Sequence, residues 1–171
     1  MTQLLTARLA LRPPQQSDLE DMFAITSNAT AMRYRSSPPH TDRQQTQADL
    51  DEMIADMPDT GNTFMFDHGG KVIGWAGCWN TSEIGFILHP DYWRQGLATE
   101  ALVAIIPNSF AKFQFPSIFA EVDPRNAASI GLLQKLGFSE THRVANTMKV
   151  GDEWCDSVYF SLARAQMRSD P

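Results

Sequence analysis

The segment with the clearest chemical potential runs from Glu83 to Ala101 and combines three kinds of local sequence. An apolar stretch typical of a β-strand ends at Leu88, an aromatic loop follows, and a helical pattern begins with small residues at Gly96 and Ala98. The unpaired N–H groups and positive dipole end of a helix N terminus suit a diphosphate, and small side chains let it approach the backbone. The segment therefore predicts either an anion cradle or an ordinary turn between strand and helix.

Two common phosphate-binding motifs are excluded for this loop. A Walker loop requires Lys and then Ser or Thr after its last glycine, whereas Leu97 and Ala98 follow Gly96. The dinucleotide fingerprint requires three closely spaced glycines, and the loop has only Gly96. Phosphate binding here would therefore depend on backbone amides.

A second polar segment stands at the start of a later helical pattern. Asn126 is a favoured residue for a helix N-cap, and Ser129 falls in the first turn that follows it. Gly137 comes directly after this helical pattern, where a left-handed C-terminal cap is expected. The segment predicts a short, well-capped helix with polar groups at its N-terminal end.

Hydrophobic periodicity predicts helices and strands that alternate along the chain. Ser17 with Glu20, and Thr41 with Gln44, have the spacing of helix capping boxes, and residues 68–71 predict a hairpin turn. We predict strands at 8–12, 62–67, 72–80, 82–88, 117–122, 138–150 and 154–162, and helices at 17–28, 41–57, 96–113 and 127–136.

These elements predict one α/β domain over residues 1–171, with a mostly antiparallel sheet and one strand–helix–strand crossover in its second half. A turn at Gly151 joins the last two strands. Pro107 falls inside a helix and cannot donate to the Val103 carbonyl, a loss of roughly 3 kcal/mol in a helix interior. We therefore expect a kink or a break between Val103 and Pro107.

Composition narrows the function classes. Of 171 residues, 43% are hydrophobic and 20% charged, as in ordinary globular proteins. The net charge of −6 offers no basic surface for nucleic acid or anionic lipid and weakly favours an amine substrate. Long apolar stretches are missing, so we expect no membrane segment.

Two cysteines cannot form a disulfide framework or a zinc site, and the four histidines lack the spacing of a metal site or a triad. We expect Cys78 and Cys155 to be small buried residues, and we expect the protein to be cytoplasmic.

Beyond these arguments, the chain resembles the GNAT superfamily of acyl-CoA-dependent N-acyltransferases, and within it the branch that acetylates the amino termini of ribosomal proteins. The family's acyl-CoA loop, Gln/Arg-x-x-Gly-x-Gly/Ala, is similar to Trp93-Arg94-Gln95-Gly96-Leu97-Ala98. The family's N-x-x-S and LEKLGF patterns resemble Asn126 to Ser129 and Leu133-Gln134-Lys135-Leu136-Gly137-Phe138. Trp93 and Arg94 depart from the pattern, since Arg94 stands where the branch usually has a first glycine.

The resemblance implies a GNAT fold, in which a twisted, mostly antiparallel sheet with flanking helices splays into a V between the strands at 82–88 and 117–122. Acetyl-CoA would bind in that V as acyl donor, without a metal. Strand backbone groups would pair with the pantetheine arm, and loop amides would hold the diphosphate. Asn126 would contact the pantetheine, or would serve only as a helix cap. The implied cofactor-binding residues are Ile87, Leu88, Arg94, Gln95, Gly96, Leu97, Ala98, Thr99 and Asn126.

Attack on a thioester requires a neutral amine, so some group must accept a proton from the ammonium. The resemblance implies Glu83 for this role, with Glu121 on the facing strand as the alternative, although either can be a plain sheet-edge carboxylate. Ser129 matches a position that protonates the departing CoA thiolate in the branch, or is a solvated cap residue. The branch's own base aligns near Met148, which weakens a direct transfer of that mechanism.

The implied function is acetyl transfer from acetyl-CoA to a primary amine by direct attack, the amine being a protein N terminus or a small molecule. One alternative is a polyamine or aminoglycoside acetyltransferase, and another is an acyl-CoA-binding module without catalysis. The early helices and the final hairpin would select the acceptor. We expect a monomer or homodimer with no nucleic-acid or membrane partner.

Overall fold

The structure, a computed structural model, describes residues 3–57, 62–78, 81–150 and 152–166. The predicted strand end at 79–80 and the predicted turn residue Gly151 lie outside these ranges. The strands are β1 Leu4–Leu5, β2 Ala10–Arg12, β3 Phe64–His68, β4 Lys71–Cys78, β5 Ile84–Leu88, β6 Ser117–Val122, β7 Ser139–Val150 and β8 Glu153–Ala163. The α-helices are α1 Leu19–Thr26, α2 Ala29–Met32, α3 Arg43–Asp56, α4 Leu97–Phe113 and α5 Ala127–Lys135.

The strands form two antiparallel sheets that separate from each other. One sheet has the order β1-β2-β3-β4-β5, and the other has the order β6-β8-β7. Within the described ranges, a single parallel bridge between Glu83 and Phe119 joins β5 to β6. The predicted α/β fold and the V between β5 and β6 are therefore confirmed, and the crossover through α4 is the parallel connection. Strand β1 was not predicted.

Helices cover both faces of this divided sheet and create two hydrophobic cores. On one face, α4 and α5 pack on the sheet, with Leu102 and Phe160 fully buried between them. On the other face, α1 and α3 pack on β4 and β5, where Leu50 contacts the cluster around Trp75 and Ile87. Because side chains alternate along a strand, each strand of the V presents one face to each core.

Two glycine turns have the geometry that the sequence predicts. Gly69 and Gly70, with φ of +66° and +90°, form the β3–β4 turn, a backbone that few other residues adopt. Gly137, with φ of +89°, ends α5, and its N–H donates to Gln134 while the next N–H, of Phe138, donates to Leu133. These two bonds form a Schellman cap.

The start of α3 differs from the prediction by one residue. Asp42 is the N-cap, and its carboxylate accepts hydrogen bonds from the N–H groups of Gln44 and Gln45 at 2.9 and 3.1 Å. The Gln45 amide oxygen, and not that of Gln44, accepts from the Thr41 N–H at 2.7 Å. The predicted Thr41–Gln44 box is therefore wrong, because the aspartate competes better for the free amides of the first turn.

The start of the first helix is also displaced. A 3₁₀ turn at Gln16–Asp18 precedes α1, and the Gln15 N–H donates to the Asp18 carboxylate at 2.8 Å. The predicted Ser17–Glu20 box is thus replaced by a pair that begins two residues earlier.

The predicted break in the long helix is wrong, because α4 continues through Pro107 to Phe113. Both Pro107 and Val103 are exposed, so solvent can hydrate the carbonyl that the proline leaves without its helical donor. A bend at this position stays a prediction.

Both cysteines are buried and free, as predicted. Over the described residues, no helix has the length and apolar character needed to cross a membrane.

Candidate active site

The register of β5 decides which of its backbone groups face the V. The His89 N–H donates to the Ile73 carbonyl at 2.8 Å, and Ile87 lies opposite Trp75 in the same antiparallel ladder. Successive residues direct their N–H and C=O groups to opposite sides of a strand, so Ile87 faces β4 whereas Phe86 and Leu88 face the open side. The structure therefore places the Leu88 backbone at the V but not that of Ile87, and the Phe86 backbone was missed.

Two hydrogen bonds likewise define which edge of β6 faces the V. The Arg164 N–H donates to the Pro116 carbonyl at 2.9 Å across the β6–β8 ladder, and the Phe119 N–H donates to Ser82 at 2.9 Å across the V. The Phe119 and Glu121 backbones consequently point away from β8 and toward β5. Beyond the Glu83–Phe119 bridge, two strand edges face each other without being paired.

Trp93 occupies one of these edge groups. Its indole Nε1–H donates to the Leu88 carbonyl at 2.7 Å, although the side chain is 44% exposed. The departure from the family's Gln or Arg thus has a structural consequence. A ligand can pair with the Leu88 N–H directly, but it must displace the indole to reach the Leu88 carbonyl.

The loop from Arg94 to Gly96 leads into α4 through two left-handed residues, Arg94 at φ +60° and Gly96 at φ +77°. The first intrahelical bond runs from the Glu100 N–H to the Gly96 carbonyl at 2.9 Å. The N–H groups of Leu97–Thr99 therefore lack helical partners and point out of the helix end, together with that of Gly96. This is the geometry that the sequence predicted for an anion cradle, which we call the amide cradle.

Arg8 and Glu100 brace the amide cradle from the side. The Glu100 carboxylate accepts hydrogen bonds from the Thr6 hydroxyl, the Arg8 N–H and the Arg8 Nε at 2.6, 2.7 and 2.7 Å. Arg8 also donates to the Gln95 carbonyl at 2.9 Å. Burial raises the pKa of Glu100, but the bonds from Thr6 and Arg8 outweigh it and lower the pKa overall. The sequence patterns did not reveal this role of Arg8 and Glu100.

Two carboxylates, one from each arm of the V, lie on the face covered by α1 to α3. Glu83 precedes β5 and shares the face of Ile87, and Glu121 lies on the face of β6 opposite buried Ala120 and Val122. Burial, followed by the negative charge of Glu121, raises the pKa of the half-buried Glu83. A carboxylate with a raised pKa accepts a proton more readily, as a general base requires.

Side chains from β7 and β8 complete the surroundings of Glu121. Buried Ser157 donates to the Glu121 carboxylate and also shares a short hydrogen bond with Thr147. Burial, and then the charge of Glu121, raises the pKa of the Tyr159 phenol. A register shift between Val144 and Met148 in β7 brings Thr147 into this group. Sequence patterns did not reveal these residues, since bulges beside a site leave no regular signal.

Asn126 and Ser129 lie at the start of α5. The Asn126 Oδ1 accepts from the Ser129 N–H at 3.1 Å, so the helix-cap interpretation is confirmed and the Nδ2 group is left for other partners. Ser129 is half-buried, and its hydroxyl makes no hydrogen bond to Glu83 or Glu121.

A polar cleft opens beside Glu121 between the α2–α3 loop and the β7–β8 hairpin. We use "polar cleft" for the cavity lined by Arg33, Arg35, Glu121, Asp123, Met148 and Ser157, among others. Arg125 closes one end, donating to Asp123 at 2.7 Å and to Glu153 at 2.7 Å, so that its charge is paired. Met148, which the resemblance aligns near the base of the ribosomal-protein branch, also lines this cleft, and a thioether cannot act as a base.

The order of strands and helices, the V and the amide cradle all have the arrangement implied by the resemblance. A family model of the acetyltransferase (GNAT) domain matches residues 8–139. This chain belongs to the GNAT acetyltransferase family. The GNAT acetyltransferase fold and an acetyl-CoA-dependent N-acetyltransferase activity are thereby confirmed as predictions.

Relatives of this GNAT protein differ in their acceptors. The chain is 29% identical over 177 residues to the uncharacterized N-acetyltransferase p20 of Bacillus licheniformis, covering 97% of this chain and 98% of that one. Its fold matches spermidine N-acetyltransferase from Vibrio cholerae, in complex with CoA and spermine, with a TM-score of 0.80 at 18% identity over 94% and 98% of the chains.

It also matches the Salmonella typhimurium acetyl transferase that modifies the N-terminal serine of 50S ribosomal subunit protein L7/L12. The TM-score is 0.82 at 12% identity, over 92% of this chain and 96% of that one. At such identities both likenesses show the fold alone, and they do not assign this chain to the ribosomal-protein branch.

Proposed function

We propose that this protein binds acetyl-CoA between β5 and β6 and transfers its acetyl group to a primary amine in the polar cleft. The observation that carries the proposal is the coincidence of three features: two unpaired strand edges, the amide cradle at their end, and a half-buried carboxylate with a raised pKa beside them. An extended amide-containing chain with a diphosphate fits the first two.

The amide cradle, with the N–H groups of Leu97–Thr99, would hold the diphosphate, and Arg94 would add a cation, since it makes no hydrogen bond or ion pair to other described residues. The free Leu88 N–H would donate to the thioester carbonyl and stabilise the oxyanion. Asn126 Nδ2 would donate to the pantetheine arm. Ile87 would contribute only its side chain and its place in the core.

In the reaction, Glu83 would accept a proton from the substrate ammonium, directly or through a water. The neutral amine then attacks the thioester carbon, forming the C–N bond and breaking the C–S bond. We propose that the Ser129 hydroxyl protonates the departing thiolate, and that the proton lost by the acylated nitrogen restores this hydroxyl, so that the products are the amide and the CoA thiol. Glu83 is preferred to Glu121 as the base, because Ser157 already donates a hydrogen bond to the Glu121 carboxylate.

The test measures CoA binding by calorimetry and thiol release from acetyl-CoA, with separate panels of N-terminal peptides, polyamines, aminoglycosides and amino acids. We expect CoA binding and turnover with at least one panel. Tight CoA binding without turnover for any amine would instead favour a binding module. Absence of both would overturn the proposal.

A further inference from the structure

Arg35 is a cation of the polar cleft whose side chain makes no hydrogen bond to another residue in the described part of the chain. It lies in the loop between α2 and α3 and lines the cavity together with Glu121 and Ser157. Its Nε atom is fully buried and makes no hydrogen bond to any residue of the described ranges. Asp49 on α3 acts on Arg35 only through its charge, and its carboxylate lies 3.6 Å from the Nε2 of His40 instead.

Other arginines of the molecule show how such a group is normally satisfied. Arg12 is also largely buried, but it donates to Asp18 at 2.8 Å and to Asp67 at 2.9 Å. Arg125 is held by Asp123 and Glu153. Burying a guanidinium without such partners costs free energy, because its donors lose water and gain nothing in return. Burial accordingly lowers the pKa of Arg35.

Among the described residues, no charged group that lines the cleft forms an ion pair with Arg35; this includes Asp156, which accepts from the Asn146 N–H at 2.9 Å. Arg125 is paired with the carboxylates of Asp123 and Glu153. Arg33 is exposed, and its charge acts on Asp123. Glu121, which also lines the cleft, accepts a hydrogen bond from Ser157. The cleft thus offers a carboxylate side, suited to an amine, and a guanidinium, suited to a planar anion.

We infer that Arg35 binds a carboxylate of the acceptor, so that the substrate is an amine that also carries a carboxylate, as a free amino acid does. This inference rests on the proposed acetyl transfer and specifies its acceptor. The guanidinium fork would pair with the carboxylate in a bidentate manner and hold the amine toward Glu83. Polyamines, which carry positive charge only, would be disfavoured by the same group.

The first experiment compares acceptors on the unmodified enzyme. Thiol release from acetyl-CoA is measured with amino acids, with their carboxamides, and with the corresponding decarboxylated amines. The pH of each assay is chosen so that the same fraction of the amine is neutral. We expect kcat/KM for the best amino acid to exceed that for its carboxamide on the order of 10- to 100-fold, the range for losing a charge-assisted hydrogen-bonded pair. A further arm uses short peptides whose N-terminal residue is Asp, Asn or Ala, because a side-chain carboxylate supplies the same chemistry.

The second experiment uses Arg35→Ala and Arg35→Lys, with Arg43→Ala as the matched control. Arg43 lies on α3 as an exposed cation paired with Glu20 at 2.7 Å. In Arg35→Ala we expect KM for the amino acid to rise on the order of 10- to 100-fold and KM for the carboxamide to stay within about 2-fold. The Lys variant should recover part of the loss, since it keeps the charge without the fork.

Binding is measured separately, by calorimetry of the amino acid added to the enzyme saturated with CoA. Preference for an Asp peptide over the free amino acid would assign the carboxylate to a peptide side chain. Turnover with equal kcat/KM for acids, amides and polyamines, or equal loss for acid and amide in Arg35→Ala, would overturn the inference while leaving acetyl transfer intact. Absence of turnover with every amine would instead overturn the proposed function.

Discussion

The amide cradle and the polar cleft differ in how far their charged side chains are paired within the protein. Beside the cradle, Arg8 and Glu100 neutralise each other, Arg8 also donates to the Gln95 carbonyl, and the backbone N–H groups are left for a ligand. In the cleft, the Arg35 Nε has no hydrogen-bonded partner among the residues that the structure describes, and the cleft residue Glu121 is the electrostatic neighbour of Glu83. The cradle is therefore preorganised before a ligand binds. The cleft, in contrast, is suited to a substrate whose own charges pair with those of the protein.

The largest effect expected from this contrast is on catalysis. Glu83→Gln should lower kcat by about 10²- to 10⁴-fold, the range for a positioned general base, without changing the Kd for CoA. Burial raises the pKa of Glu83 in the folded state, so its ionised form disfavours folding as the pH rises through the shifted range. The variant should therefore unfold at a temperature no lower than that of the unmodified protein at pH 7.

The control is Glu52→Gln, because Glu52 is an exposed residue of α3; this variant should leave kcat unchanged. Full turnover by Glu83→Gln would show that another group is the general base, and Glu121 would be tested next.

The next effect falls on the cradle. Gly96 has φ of +77°, so Gly96→Ala should strain the loop by about 1–2 kcal/mol and weaken CoA binding by roughly 5- to 30-fold. Gly70→Ala, at φ +90° in the β3–β4 turn, should lower stability without affecting CoA.

Gly131, inside α5, has no atom within 4 Å of an added Cβ, and Gly131→Ala should stabilise the protein by about 0.5–1 kcal/mol. Equal CoA affinity for the Gly96 and Gly131 variants, measured by calorimetry, would show that the cradle geometry is unimportant.

A smaller effect is expected at the brace. Arg8→Ala removes the bonds to Glu100 and Gln95 and should weaken CoA binding by about 2- to 5-fold, because Arg8 is partly exposed and its ion pair is screened. Thermal unfolding should change little. Arg43→Ala removes an exposed pair away from the cradle and should leave the CoA affinity unchanged. A loss of CoA affinity equal in both variants would contradict the bracing role.

The smallest effect concerns the pH profile. The charge of Glu121 helps to raise the pKa of Glu83, so Glu121→Gln should move the acid limb of kcat/KM to lower pH, by less than about one unit. Glu52→Gln should not move it. Loss of turnover without a shift of the limb would indicate that Glu121 itself is the base.

The cradle was predictable because it is local. A strand, a loop and a helix start follow each other in the sequence, and Gly96 supplies the left-handed backbone that the loop needs. The V between β5 and β6 followed from the resemblance. The sequence could not show whether the Ile87 or the Leu88 backbone faces the V. That depends on the register between β5 and β4, which the residue pattern does not determine.

The cleft was not predictable because it is assembled from distant segments. Arg35 comes from a loop without regular structure, Ser157 from β8, and Thr147 from a register shift in β7. Net charge was also misleading in part, since −6 favours an amine but does not reveal a buried guanidinium. Short polar residues on a strand look like solvated positions until the fold buries them.

Amide hydrogen exchange followed by NMR, with and without CoA, tests the central claim that acetyl-CoA occupies the V. If acetyl-CoA occupies the V, we expect slower exchange for the open-edge N–H groups of Phe86 and Leu88 and for those of Leu97–Thr99. Exchange at Ile87, whose N–H points to β4, should change little. Unchanged exchange at Leu88 and Leu97–Thr99 under saturating CoA would contradict the claim.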